Sequence, residues 1–202
     1  MHFFQLLRIT GIGLAGVALA LGQPVLAKTK QPKTAPPTQE AQADAGVRVG
    51  EQIITDAVEI CDLMVADKRA LLARLEDNGW SKDISYDVGN APYYKELTAD
   101  QTYDGVGDAE VWGFIEDYPS YKIGYCSFTI PSPQIDVPVA LVETIGGAFT
   151  LTGEIQKTDG GVFSTWQDVA NPPSVFVHAY QNSDTFVYQV TRILAAPGNV
   201  PE

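Results

Sequence analysis

From Glu51 onward, Ile54, Val58, Cys61, Val65, Leu72 and Leu75 recur at alternating steps of three and four, missing only Lys68. That spacing draws one apolar stripe along a helix, or along two helices broken near Ala66-Asp67. Asp67 is a candidate cap for a second helix over Lys68 to Asp77. Gly79 in DNGW reads as its stop, with Trp80 folding back onto it. Further on the period changes to two. Ala109–Asp117 and Tyr121–Ile130, joined by Tyr-Pro-Ser, read as an antiparallel hairpin that ends at Pro131 and Pro133. A two-turn helix is expected over Val137–Thr144, with Asp136 as its cap and Gly146-Gly147 as its stop. Four more strands follow: Ala148–Gln156, Val162–Val169, Ser174–Gln181 and Thr185–Leu194, the first two joined across Asp159-Gly160. Residues 83–107 are read as short strands or irregular chain, with Tyr103–Asp108 as a loop. Segregated helices and runs of strands define an α+β class. The expected architecture is an N-terminal helix or helix pair and a short middle helix packed on a meandering, mainly antiparallel sheet.

The two ends stand outside this pattern. Residues 1–27 begin with Arg8 on a short N-terminal region and continue through an uncharged run that Gly22, Gln23 and Pro24 interrupt before Val25-Leu26-Ala27. This is the arrangement of a signal peptide cleaved after Ala27. Residues 28–50 carry Pro, Thr, Gln and Ala without an aromatic residue and are read as a disordered linker. Residues 51–195 are expected to form a single α+β domain, and residues 196–202 a flexible tail. The expected location is periplasmic or secreted, without stable membrane insertion once the signal is removed. No internal repeat is evident.

Two cysteines in an exported chain suggest a bond. Cys61 lies on the helical stripe. At period two, Cys126 shares a strand face with Gly124, Phe128 and Ile130, so a helix packed on that face brings both sulfurs into one layer. An oxidising compartment then favours a Cys61–Cys126 disulfide. The sequence offers little for other cysteine chemistry. No CxxC is present, and His178 is the one histidine after the leader.

Charge narrows the partners. The formal net charge is −12, which disfavours nucleic acid and leaves a basic partner open. Asp104, Asp108 and Glu110 do not follow the spacing of a calcium loop, no metal-ligand cluster is evident, and no cofactor or metal is expected. GxSxG is absent, and the glycine pairs do not stand between a strand and a helix as a dinucleotide motif requires.

One pattern points to function. Tyr121, Ile123 and Tyr125 form the strand face opposite Cys126, while Phe176, His178 and Tyr180 form the face opposite Val175, Val177 and Ala179. A sheet covered by helices on one side ordinarily turns polar residues outward on the other. Aromatic rows there imply a ligand, a partner or a second covering layer. Tyr121, Tyr125, Phe176, His178 and Tyr180 are therefore the candidate binding residues. The expected function is an exported soluble module that binds a protein or small ligand, including inhibition of a basic partner. The alternatives are a hydrolase centred on His178 and a structural envelope component. No motif is specific enough to name a family.

Overall fold

A computed structural model describes residues 39–85, 95–145, 147, 149–168 and 175–195. The expected signal peptide, the linker up to residue 38 and the C-terminal tail lie outside the described residues. Within them the chain is α+β. Two helices, α1 (Gln39–Val65) and α2 (Ala70–Asp77), precede β1 (Ser81–Ser85), β2 (Glu96–Tyr103), β3 (Gly107–Asp117) and β4 (Tyr121–Pro131). The short helix α3 (Leu141–Ile145) leads into β5 (Thr152–Thr158), β6 (Gly161–Asp168), β7 (Val175–Gln181) and β8 (Thr185–Ala195).

All eight strands belong to one antiparallel sheet in the order β1-β2-β3-β4-β8-β7-β6-β5. It consists of two consecutive four-strand meanders joined through their last strands, β4 and β8. One face forms the core. Cys126, Phe128 and Ile130 of β4 meet Val190, Tyr188 and Phe186 of β8 there, with Val177 and Trp166 beyond them. Helix α1 lies over β3, β4 and β8, α2 contacts β1, and α3 packs on α1.

Glycine lets α1 approach the strands closely. A Cβ at Gly124 would lie 2.6 Å from the Val65 carbonyl oxygen, and one at Gly113 would overlap the Met64 sulfur. The Cys61–Cys126 disulfide crosses the same contact with its Cα atoms 5.3 Å apart.

Helix ends account for several differences from the sequence reading. α1 starts at Gln39, inside the stretch assigned to a linker, where Gln, Glu and Ala are good helix formers and no proline intervenes. Asp67 does not cap α2. Its φ of 53° ends α1 in a left-handed turn, in which Lys68 N–H donates to Leu63 O (3.0 Å) and Asp67 N–H to Met64 O (3.1 Å). Its carboxylate instead lies 3.6 Å from Lys122 Nζ on β4. Gly79 closes α2 in the same way, with Trp80 N–H donating to Leu75 O at 2.9 Å. Trp80 is buried against Tyr103 and Phe128, with ring centroids 6.4 and 5.7 Å away.

The middle helix is shorter than Val137–Thr144. Pro138 disfavours helical backbone at Val137 and lacks a donor of its own. Val137 and Val139 are buried in the preceding loop, and Val137 N–H donates to Gln181 Oε1 at 3.2 Å. Residues 96–103, left open by the sequence, form β2.

Buried charge underlies the sheet at two points. Asp56 of α1 accepts from Tyr103 Oη (2.6 Å), from Gln52 Nε2 (3.0 Å) and from Arg74, which also donates to Glu59 at 2.9 Å. Near α3, Arg192 stands over the Phe149 ring at 5.4 Å. Burial lowers its pKa, opposed by the charges of Asp62 and Asp168.

Candidate binding face

The second face of the sheet is built by the alternate residues. Cross-strand register sets them in rungs. One rung reads Glu96, Phe114, Tyr125, Thr191, Phe176, Gln167, Thr152 from β2 to β5. The next reads Asp83, Thr98, Trp112, Ser127, Gln189, His178, Thr165, Glu154 from β1 to β5. A third carries Asp100, Glu110, Thr129, Val187, Tyr180 and Phe163. Among the described residues no helix packs on this face, because α1 and α2 contact the sheet from the core side.

All five candidate binding residues occupy this face, and they fall into separate neighbourhoods. Tyr125 stacks on Phe114 at 5.3 Å and 23°, and Trp112 meets both rings at 5.3–5.4 Å. Glu96 orients this cluster by accepting from Trp112 Nε1 at 2.8 Å. A hollow of about 270 Å³ opens beside it, lined by Lys95, Glu96, Trp112, Phe114, Ile115 and Glu116. Tyr121 lies away from that cluster at the hairpin end, 39% exposed and stacked on Tyr118 at 4.7 Å. A hydrogen bond to Glu116, with smaller effects of desolvation and charge, raises the pKa of Tyr118.

Phe176, His178 and Tyr180 stand two strands beyond β4, half-buried. The His178 ring stacks on Phe163, which is 43% exposed, and its Nδ1 lies 3.2 Å from Thr165 Oγ1. Tyr180 Oη accepts from Asn182 Nδ2 at 2.6 Å. Tyr125 and Phe176 share a rung across two strand spacings, roughly 10 Å. Thr191 stands between them.

In register, Thr165 sits between His178 and Glu154, so that carboxylate borders the hydroxyl and not the imidazole. A nucleophilic relay needs the opposite order, with the acid orienting the histidine. No group of three or more possible metal-ligating side chains occurs among the described residues.

Phe163 and Glu96 were not singled out from the sequence, which leaves Trp112 and Phe114 open between the two layers. Along β3 both alternations are apolar, Val111 and Ile115 against Trp112 and Phe114, so period two does not say which set faces the core. Comparison with protein-family models, curated proteins and solved structures finds no match for the chain.

Proposed function

We propose that the chain is an exported, non-catalytic binding module whose contact surface is the helix-free face of the sheet. One observation carries this reading: aromatic side chains stand on both sides of that face, where an antiparallel sheet backed by helices ordinarily shows polar residues to water. Rings held by their neighbours lose little conformational freedom on binding, which favours them as anchors. The neutral polar strip between the clusters, Ser127, Gln189 and Thr191, offers donors and acceptors without a buried charge. The buried disulfide between α1 and β4 fits an oxidising compartment, periplasmic or extracellular. The rung order around His178 favours binding over hydrolysis.

Site-specific photo-crosslinking in the producing cell tests the reading. A photoreactive residue at Tyr125 or Thr165 is expected to form a covalent adduct seen by intact-protein mass. One at Glu51, exposed on α1, is expected to remain unmodified. Equal adducts at all three positions, or none on the sheet, would contradict it.

A further inference from the structure

We infer that the occupant of this face is a polypeptide presenting arginine and lysine side chains. The inference rests on the proposed contact surface and adds the chemistry of the partner. Charge complementarity carries it. The outward positions of the first meander hold Asp83, Glu96, Asp100, Asp108, Glu110 and Glu116. Among the described residues, no lysine or arginine takes an outward position on any strand. Several cations of the domain are engaged elsewhere. Arg74 pairs with Asp56 and Glu59, Lys82 with Glu76, and Lys122 with Asp67 and Asp117. Lys95 stands at the end of β2, on the rim of the hollow.

The acids are also arranged at a cost to the fold. Asp100 and Glu110 are directly opposite in the β2–β3 register, and both are exposed. Like charges at such a position destabilise a sheet. A cation arriving between them would relieve that repulsion. One rung away lies Trp112, which with Phe114 and Tyr125 presents aromatic faces beside carboxylates. An arginine guanidinium suits this pairing: it stacks on a ring while its edge meets a carboxylate. The same charge repels phosphate, which disfavours nucleic acid and anionic lipid.

The test uses the purified protein with its disulfide intact and two synthetic peptides, one rich in arginine and lysine and its counterpart with citrulline and glutamine. The basic peptide is expected to bind and to shift the Trp112 indole and Tyr125 ring resonances, more weakly at about 150 mM salt than at low salt. The citrulline peptide is expected to leave them in place. Asp100→Asn with Glu110→Gln is expected to reduce affinity by about fivefold or more. The same pair is expected to melt no lower than the parent, because it removes the like-charge contact. Glu51→Gln with Asp77→Asn removes equal charge from the helices and is expected to change affinity by less than about twofold. Trp112→Ala, which leaves the charge intact, is expected to weaken binding.

Equal losses in the two charge-matched pairs reduce the effect to bulk attraction and overturn the inference. So do resonance shifts on the face with a neutral chito-oligosaccharide and none with the basic peptide, although the contact surface would stand. Silence of both probes together with crosslinks at Tyr125 also rejects the basic partner while sparing the surface. Silence of both without crosslinks removes surface and partner alike.

Discussion

Asp56 illustrates how a single carboxylate is kept inside this domain. It is 5% exposed and receives hydrogen bonds from three side chains on α1, α2 and β2. A buried charge is tolerable only with such partners. Burial pulls the Arg74 pKa down, but its bonds to Glu59 and Asp56 outweigh this and raise it overall. Burial, then the hydrogen bond and charge of Asp56, push the Tyr103 phenol well above its ordinary value. The folded protein holds this proton where the unfolded chain releases it. The contribution is therefore complete below about pH 10 and is lost as pH rises beyond that value. Burial raises Tyr188 likewise. Tyr103→Phe should lower stability at neutral pH by about 1.5–3 kcal/mol, since it takes a donor from a buried carboxylate. It should also flatten the alkaline loss of stability by about 1.4 kcal/mol per pH unit. Thermal melts between about pH 7 and 11 measure both. Parallel curves for parent and variant would show that this proton does not contribute.

Helix and strand meet through the cysteine pair, where α1 reaches closest to β4. Both cysteines are fully buried, so a reductant acts only on opened molecules. The bond spans 65 residues, and in the loop-entropy account such closure contributes about 4 kcal/mol. Cys61→Ala and Cys126→Ala should each lower the unfolding free energy by that order, and the double variant should lose no more. Denaturant titrations of the three variants check this. A double variant much weaker than either single one would mean that the sulfurs contribute separately. This contact was legible in sequence mainly because two cysteines behind an expected export signal favour pairing. Cys61 sits on a stripe of aliphatic residues, and period two sets Cys126 on one strand face with Phe128 and Ile130. The hairpin turn at Asp159-Gly160 was legible for a local reason, since two residues join Thr158 to Gly161 in register. β2 was not legible, because Glu96–Tyr103 places only Leu97, Ala99 and Tyr103 in the core and fills the remaining positions with polar groups. Asp56 was hidden for the opposite reason: a charge on a helix reads as solvent-facing until Arg74 and Tyr103, distant in sequence, are placed beside it. The aromatic rows on β4 and β7 could be assigned to one face from alternation, whereas β3 could not, being apolar on both.

The two meanders have the same plan without a recognisable sequence repeat. Each ends on the strand that supplies the centre of the sheet. β4 and β8 pair along their whole length, from Tyr121 opposite Ala195 to Pro131 opposite Thr185. A continuous core rung crosses this seam through Gly113, Cys126, Val190, Val177 and Trp166. α1 covers both sides of it by packing on β3, β4 and β8. Trp166 ties the second meander to α3 by donating to Glu143 at 2.8 Å, and α3 packs on α1. Detaching either half would expose the seam, leaving the apolar residues of a central strand and its backbone groups unpartnered. The domain should therefore open as one cooperative unit although its topology is double. Native-state hydrogen exchange across a denaturant series tests this. Protected core amides of Val111 and Phe128 in the first meander should converge with those of Val177 and Val190 on one opening free energy and one denaturant slope. A separate, shallower slope for the second meander would show that β8 can leave β4 while the first meander stays folded. The proposed contact face would then be two surfaces hinged at the seam, and a ligand spanning Tyr125 and Phe176 would have to bear the cost of closing it.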